Sequence, residues 1–343
     1  MAAGAEAQDV GALIELYYEK GWTDGFPVVP PTEAAVGAML AAAGMQGSDV
    51  LGEIFERHTA LTADKVAINA VLAGCKPAYM PVILAAMKGL LDERYHFHGA
   101  ATSTGGSCVV TIINGPIARE LDINAGCNAF GQGWRANATI GRAVRLTMMN
   151  ALNTRPGKLD RSTLGNPGKY SFCFAEDEAN SPWEPYHVEQ GFAAQESTVT
   201  VFAGEGTIQV YNQLSADPES LCRTFADAMA NLGSMGVIGQ PQCAVVVAGE
   251  HQEIFRKAGW GRRQVKQTLF DLAKRSIADA KRAGRLPGPV EAKDETTYRH
   301  VVADPDEIIL LAAGGDAGSF SACIPGWGSA KICRSVTVPI ARP

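Results

Sequence analysis

Two stretches of the sequence hold most of the side chains that could do chemistry. The first, residues 96–149, combines two histidines, two cysteines and three glycine-rich turns around one apolar strand. The second, residues 176–189, reads EDEANSPWEPYHVE and places acid–base residues among prolines and large aromatics. We expect these two stretches to form the walls of one active site.

His96 and His98 stand on either side of a phenylalanine. If residues 95–98 are extended, both imidazoles lie on one face, because side chains alternate along a strand. Two imidazoles on one face are a recurrent part of a site for a divalent transition metal. The alternative is a pair of histidines hydrogen-bonded at a helix–strand junction. The candidates for a third ligand are His187, Glu176, Glu189, Cys108 and His251.

The second stretch supplies the candidate acid–base groups Glu176, Glu184 and His187. Two prolines and two large aromatics stiffen the segment and keep water away from it. A desolvated carboxyl has a raised pKa, which suits general acid–base catalysis. We expect Trp183 to contact the substrate. The alternative is an acidic loop on the surface.

The glycine-rich loop of residues 126–133 precedes a predicted helix, and a helix N-terminus favours anions. We expect this loop to bind a small anionic molecule, such as a carboxylate or a single phosphate. The spacing of its glycines does not match the nucleotide-binding patterns. The alternative is a set of turns that only let a strand and a helix pack. The candidate substrate-binding residues here are Asn128, Gly131, Gly133, Arg135 and Asn137.

Eight cysteines are scattered along the chain and none forms a C-x-x-C pair, so no zinc knuckle or dithiol motif is indicated. Cys127 comes shortly before the predicted helix, and a thiol at a helix N-terminus has a lowered pKa. It is therefore the candidate catalytic thiol. Cys108 and Cys323 are weaker candidates, and for each cysteine the alternative is an inert, buried side chain.

The elements that would position these residues follow an α/β pattern. Residues 109–113 form a β-branched run typical of a buried strand, and a helix is predicted for residues 136–152. The order cysteine, strand, glycine turn, short helix and glycine recurs from Cys108 and from Cys243, with a partial third copy at residues 307–315. The sequence therefore predicts an α/β fold with repeated strand–glycine turn–helix units and internal pseudo-symmetry.

Three regions are predicted from this pattern. Residues 1–60 form an N-terminal helical and proline-rich clamp, with Asp24 at the edge of a pocket as an alternative role. Residues 61–195 form the first α/β unit and hold the candidate site. Residues 196–343 form the second α/β unit and the C-terminal strands.

Composition excludes several classes of protein. The net charge is −6 and the basic residues are scattered, which argues against nucleic-acid binding. The first ten residues lack the pattern of a signal peptide, and no apolar run approaches the roughly 18 residues that a membrane span needs. We therefore expect a cytoplasmic protein with no membrane segment. Aromatics at predicted turns suit a homo-oligomer interface; they are Trp22, Trp134, Trp260 and Trp327.

Four segments carry a resemblance to a known group of proteins: residues 21–32 (GWTDGFPVVPPT), 67–82, 128–143 and 181–189. Over most of its length the chain resembles uncharacterised bacterial proteins associated with small UGSC-type selenoproteins or their cysteine counterparts, and these four segments carry the resemblance. The UGSC tetrapeptide itself is absent here. The resemblance implies thiol or selenol chemistry, with a small thiol or selenol protein as partner.

These observations predict an enzyme that cleaves a small anionic organic substrate, as a lyase or a hydrolase. One alternative is a thiol-dependent reductase subunit that works with a cysteine or selenocysteine partner. A second alternative is a ligand-binding subunit without catalytic activity.

Overall fold

The computed structural model describes residues 10–342. The helices are Val10–Glu19 (α1), Glu33–Ala42 (α2), Ala63–Ala73 (α3), Met80–Leu91 (α4), Phe97–Thr102 (α5), Ile117–Glu120 (α6), Arg135–Asn150 (α7), Tyr186–Glu189 (α8), Pro218–Met229 (α9), Gly236–Gly239 (α10), Gly249–Ala258 (α11), Arg262–Leu272 (α12) and Ile277–Arg282 (α13). The strands are Val50–Ile54 (β1), Thr59–Thr62 (β2), Cys108–Asn114 (β3), Cys173–Ala175 (β4), Thr198–Gly204 (β5), Ile208–Tyr211 (β6), Cys243–Val247 (β7), Lys274–Ser276 (β8), Tyr298–His300 (β9), Ile308–Ala312 (β10), Phe320–Pro325 (β11) and Val336–Pro339 (β12).

Two four-stranded sheets form the centre of the described structure. The first has the order β12–β5–β3–β4 and the second the order β10–β7–β11–β6. In the first sheet β4 runs parallel to β3, while β5 and then β12 are antiparallel to their neighbours. In the second sheet β10 is parallel to β7, while β11 and then β6 are antiparallel. The two sheets thus have the same sequence of strand directions.

The edge strands β12 and β6 each follow a point where the chain crosses from one sheet to the other. The chain leaves the first sheet after β5 and enters the second as β6, and it returns from β11 to the first sheet as β12. A bridge between Gly204 and Gly326 joins the sheets where the chain crosses. The equal strand directions resemble an internal repeat, but duplication of the units stays a prediction.

The sheets pack face to face between two layers of helices. Alternate residues of β3 point to opposite sides: Val110 and Ile112 face the second sheet, while Ile113 faces α3, α4 and α7. On the second sheet Val246 faces inward and Val245 contacts the layer that includes α9, α11 and α12. Apolar residues therefore cover both faces of both sheets, which explains why the central strands read as continuous apolar runs.

The structure confirms that the fold is of the mixed α/β class. The strand predicted for residues 109–113 and the helix predicted for residues 136–152 appear as β3 and α7, shifted by one or two residues. The predicted boundary at residue 196 does not coincide with the sheets, because β5 and β12 both pair within the first sheet. The sheet to which each strand belongs is determined by main-chain pairing, which the local sequence does not encode.

The N-terminal segment is held against α7 by charge. Arg142 binds both carboxylate oxygens of Asp24 at 2.8 and 2.9 Å and also donates to the carbonyl of Pro27 at 2.9 Å. Thr32 caps α2 by accepting from the amide of Ala35. Within residues 10–342, no helix is long and apolar enough to cross a membrane.

Candidate functional site

The candidate acid–base residues lie where the parallel strands β3 and β4 end. Asn114 is the last residue of β3, and Glu176 directly follows β4. In open α/β sheets, ligands commonly bind at the carboxyl ends of the strands. We define the carboxylate cluster as Asn114, Glu176, Glu178, His187 and Arg262.

Glu176 is the buried anchor of this cluster. Its Oε2 atom accepts from the side-chain amide of Asn114 at 2.6 Å and from the backbone amide of Tyr186 at 2.7 Å. Arg262 lies 3.4 Å from Oε1. Burial raises the pKa of Glu176, and these three donors act against that rise. Because both oxygens are engaged, Glu176 fixes the start of α8 and is poorly placed to meet a substrate.

Glu178, rather than Glu176 or Glu184, is the glutamate of this stretch that is both held in place and open to solvent. Its Oε1 atom accepts from Asn114 at 2.9 Å and from the backbone amide of Gly115 at 2.6 Å. Only glycine fits at position 115, since φ is +87° and a Cβ would lie 2.1 Å from the carbonyl oxygen of Glu196. The Glu178 side chain is one-quarter exposed, so a held carboxylate reaches solvent here.

His187 is fully buried behind Glu178, with its Nδ1 atom 3.6 Å from Oε1 of that residue. Neither ring nitrogen has a hydrogen-bond partner among the described residues, and neither has Oδ1 of Asn114. A buried polar group left without a partner costs roughly 1–3 kcal/mol, so native structures rarely retain one without a purpose. The imidazole therefore lies within ion-pair distance of Glu178 with both of its nitrogens unpartnered.

Two other residues predicted for this stretch, Glu184 and Trp183, do not belong to the carboxylate cluster. Glu184 is exposed, and it is its backbone carbonyl that accepts from Arg262. Trp183 is buried, donates from Nε1 to the carbonyl of Trp260 at 3.0 Å and packs on Phe255. The ring of Trp183 packs in the core under α11, and the expectation that Trp183 contacts substrate stays a prediction.

The amide of Glu176 donates to the carbonyl of Ile113 at 3.1 Å and so joins the two chemically dense stretches. The amide of Ala175 donates to the carbonyl of Asn124 at 3.1 Å, and the amide of Gly314 donates to Ala125 at 2.8 Å. The amide of Asp177 donates to the carbonyl of Ala312 at 2.7 Å. The start of the glycine-rich loop thus lies between the ends of β4 and β10.

The polar side chains of the glycine-rich loop mainly hold the loop itself. Arg135 donates from Nε and Nη2 to the carbonyl of Gly74, which ends α3. Asn137 is buried and exchanges two hydrogen bonds with the backbone of Asn124. Both side chains donate to main-chain carbonyls, and the anion contacts of Arg135 and Asn137 stay a prediction.

Asn128, Gly131 and Gly133 shape the turn. Asn128 has φ +59° and donates to the carbonyl of Gln132 at 2.9 Å, while Gly133 has φ +125°. A Cβ at position 131 would lie 2.2 Å from the Asn128 side chain, so a larger residue there would displace that side chain. This compact turn presents Asn128 to a cavity between the two sheets.

That cavity, the interlayer cleft, has a volume of about 200 Å³. It contains no charged side chain among the described residues, which further disfavours the predicted anion at this place. Its lining residues are Asn128, Ala129, Phe130, Thr207, Gln209, Val246, Ala248, Ala313, Gly314, Phe320, Ser321 and Ala322.

Cys127 stands next to the interlayer cleft and is exposed, whereas the other seven cysteines are buried. Burial raises the pKa of Cys75 to about 12 and that of Cys108 to about 11. It raises the pKa of Cys323 well above its usual value. Cys127 is therefore the one cysteine of the chain placed to react, and Cys108 and Cys323 are not.

The prediction of an extended segment at His96 and His98 is wrong. His96 has φ +54°, and α5 begins at the next residue. The ring of His96 stacks against Trp327, while Nδ1 of His98 accepts from Arg57 at 3.3 Å. Within residues 10–342, no three His, Cys, Asp or Glu side chains form a group that could hold a metal ion. The two histidines therefore do not have the predicted extended arrangement, and metal binding stays a prediction.

Sequence reasoning did not pair His251 with Ser321. Nε2 of His251 lies 2.9 Å from the carbonyl of Asn212, and Nδ1 lies 2.7 Å from Oγ of Ser321. The carbonyl can only accept, so the neutral imidazole accepts the hydroxyl proton of Ser321. Ser321 is paired with Val210, whose side chain belongs to the helix-side core. The hydroxyl therefore points into the helix layer and away from the interlayer cleft.

A depression of about 610 Å³ opens at the start of α11. Ala179, which follows Glu178 directly, is part of its wall, together with the start of α11. Three carboxylates and one guanidinium line the depression: Glu250, Glu253, Asp316 and Arg256. This charge balance suits a neutral or cationic molecule better than an anion.

The fold and the site together define a four-layer α/β protein with acid–base residues at the carboxyl ends of its parallel strands. Comparison with models of known protein families gives no match, and comparison with curated proteins gives none either. The functional proposal therefore depends on the geometry of this chain's own residues.

Proposed function

We propose that the chain is a cytoplasmic enzyme that cleaves a small polar organic molecule by proton transfer, as a lyase or a hydrolase. The observation that carries this proposal is the pair formed by Glu178 and His187. The carboxylate is held by two donors and reaches solvent, and a buried imidazole with two unpartnered nitrogens lies 3.6 Å behind it.

The pair suits a base that is restored after each turnover. The Glu178 carboxylate accepts a proton from a substrate carbon or from a water molecule, His187 takes that proton up from Glu178, and Glu178 returns it to the leaving group. A carboxylate base of this kind serves in both lyases and hydrolases. We place the substrate in the depression lined by Ala179, the residue after Glu178, and its acidic lining favours a neutral or amine-bearing reacting end.

The proposal is tested with Glu178→Gln, which keeps the size of the side chain but cannot accept the proton. Glu184→Gln is the matched control, because it removes an exposed carboxylate from the same segment. The wild-type protein is incubated with a panel of small polar metabolites, and consumption is followed by mass spectrometry. We expect Glu178→Gln to lower turnover at least about 100-fold and Glu184→Gln to leave it within about twofold.

Equal turnover by the wild type and the Glu178→Gln variant would contradict this assignment. If compounds bind without being consumed, and neither His187 nor Cys127 affects binding, the protein is a ligand-binding subunit.

A second candidate function is favoured by the exposure of Cys127 next to the interlayer cleft. In this alternative the chain is a thiol-dependent reductase subunit, and its partner is a small cysteine or selenocysteine protein. The thiolate of Cys127 attacks the sulfenic or selenenic acid of that partner, the S–O or Se–O bond breaks with release of hydroxide, which is protonated to water, and a mixed disulfide or selenenylsulfide forms. The apolar walls of the cleft would then receive the residues that flank the partner's reactive atom.

The remaining expectations about partners and cofactors are part of the proposal. A homo-oligomer is favoured by aromatic side chains near the N-terminus that stay exposed, among them Trp22 and Phe26. A divalent transition metal would need ligands beyond His96 and His98, so elemental analysis decides its role.

A further inference from the structure

A second polar cavity lies between α7 and the loop of residues 156–170. Its volume is about 470 Å³, and none of its lining residues belongs to the carboxylate cluster. We call it the Arg145 basin and define it by Asp24, Arg145, Met149, Asp160, Lys169 and Tyr170.

Two cations in this basin share one carboxylate. Nη2 of Arg145 lies 2.8 Å from Oδ2 of Asp160, and Nζ of Lys169 lies 2.9 and 2.7 Å from its two oxygens. All three side chains are largely buried, with 11%, 4% and 15% of their surface exposed for Arg145, Asp160 and Lys169. A single carboxylate cannot neutralise two buried cations, so the group keeps an excess positive charge.

The second carboxylate of the basin does not remove this excess. Asp24 lies in the basin wall, but Arg142 binds both of its oxygens from outside the basin. Arg142, Arg145 and Lys169 therefore face only Asp24 and Asp160, which leaves one net positive charge. Charge in a partly desolvated cavity attracts an opposite charge more strongly than charge in open water.

Arg145 also has hydrogen-bonding capacity to spare. Its guanidinium has five N–H donors, and Asp160 is its only hydrogen-bond partner among the described residues. Arg145 lines the basin, and none of its remaining donor atoms is a buried atom without a hydrogen-bond partner. These donors are therefore accessible. A planar anion can thus meet Arg145 at two N–H groups.

Electrostatics at Lys169 point the same way. Burial lowers the pKa of Lys169, while Asp160 acts to raise it. For Asp160, burial alone would raise the pKa, but the hydrogen bonds from Lys169, Ser162 and Arg145 outweigh it and hold the pKa well below its usual range. Asp160 thus stays ionised, and a second anion would stabilise both cations.

Apolar side chains also line the basin. They are Met149, one turn after Arg145 on α7, and the ring of Tyr170, which packs on Phe26 with centroids 5.0 Å apart. Leu164 lies at the rim and is almost completely exposed. A ligand that fills this cavity therefore needs one anionic end and an apolar body.

We propose that the Arg145 basin is a binding site for a small organic monocarboxylate, whose carboxylate contacts Arg145 and Lys169 and whose apolar part packs on Met149 and Tyr170. One negative charge matches the one excess positive charge, whereas a dianionic phosphate would leave a negative charge in a half-buried place. This site goes beyond the proposed function, because it does not depend on the chemistry of Glu178.

The simplest alternative is that Arg145 and Lys169 only hold the 156–170 loop on α7. The two ideas differ in what happens when Asp160 loses its charge. The variant Asp160→Asn leaves two cations without their carboxylate, so a binding site should gain affinity, while a purely structural link should only be weakened.

The experiment measures binding of benzoate to the full chain by calorimetry, with inorganic phosphate as the comparison ligand. We expect saturable benzoate binding to the wild type, affinity about tenfold weaker in Arg145→Gln and about fivefold or more tighter in Asp160→Asn. Arg161→Gln is the control, since it removes an exposed cation of the same loop that does not line the basin. We expect this change to stay within about twofold.

A readout on the wild type removes dependence on the folding of the variants. With labelled methionine methyl groups, benzoate should shift the Met149 signal in NMR spectra and leave that of Met229, which is buried beneath the second sheet, unchanged. Absence of saturable benzoate binding, or equal affinity of the wild type and Arg145→Gln, would overturn the proposal. Tighter binding of phosphate than of benzoate would overturn the assignment to a monocarboxylate.

Discussion

Nδ1 of His187 lies 3.6 Å from Oε1 of Glu178, and the histidine is fully buried while the glutamate reaches solvent. The same glutamate oxygen accepts from Asn114 and from the backbone of Gly115. Asn114 therefore positions the proposed base, because one amide group donates to both Glu176 and Glu178.

The variant Asn114→Ala should destabilise the fold by roughly 2–4 kcal/mol, because a fully buried carboxylate loses a charge-assisted donor. Urea unfolding followed by circular dichroism measures this. Asn180→Ala is the control: Asn180 donates to the carboxylate of Asp177 at 2.9 Å but is exposed, so its loss should cost less than about 1 kcal/mol. Equal costs for the two variants would contradict the special role of Asn114.

Cys127 should be the only cysteine that reacts with iodoacetamide in the folded protein. The other thiols are buried, and burial raises the pKa of Cys222, Cys243 and Cys333 to about 12. Mass spectrometry after short labelling should detect one modified cysteine in the wild type. It should detect none in Cys127→Ser until denaturant is added. Loss of turnover on labelling supports the reductase alternative, and unchanged turnover contradicts it.

His251 should make the protein less stable in mild acid. Burial lowers its pKa, so in the native state it stays neutral at a pH where the unfolded chain already binds a proton. The unfolded state binds more protons in that window, and the free energy of unfolding therefore falls as the pH drops below about 6.5. The slope for one proton cannot exceed about 1.4 kcal/mol per pH unit.

Urea unfolding at several pH values between neutrality and mild acid tests this sign. We expect a shallower pH dependence for His251→Gln than for the wild type. His58→Asn is the control, because His58 lies in a turn with φ +46°, a conformation that asparagine tolerates. A His251→Gln variant with the pH dependence of the wild type would refute the contribution of His251.

Elemental analysis of protein purified without a chelator or a histidine tag tests the metal expectation. Because His96 and His98 do not share a face, His96→Ala combined with His98→Ala should leave the content of zinc, iron, copper and nickel unchanged. A near-stoichiometric metal that is lost in this double variant would restore the metal site at these histidines.

Much of the local structure could be predicted from the sequence. The β-branched run 109–113 determines β3, and the caps Thr32 and Asp217 mark the starts of α2 and α9 through their own side-chain hydrogen bonds. Local periodicity and capping depend on neighbours in the chain, so a single sequence carries that information. The two stretches expected to form one site do meet, through the bond from the amide of Glu176 to Ile113 and through the side chain of Asn114.

Only the tertiary structure decided which acid–base residue is available. Glu176, Glu178 and Glu184 are alike in sequence context. In the structure Glu176 is buried beside Arg262, Glu178 is held by Asn114 where it reaches solvent, and Glu184 is exposed. Likewise, Arg145 and Lys169 meet at Asp160 because α7 and the following loop fold against each other. Such roles depend on contacts between distant segments, and so does the exchange of β6 and β12 between the sheets. The burial and hydrogen-bond partners of a side chain determine its protonation state and its exposure to solvent, and both are established only when the chain folds.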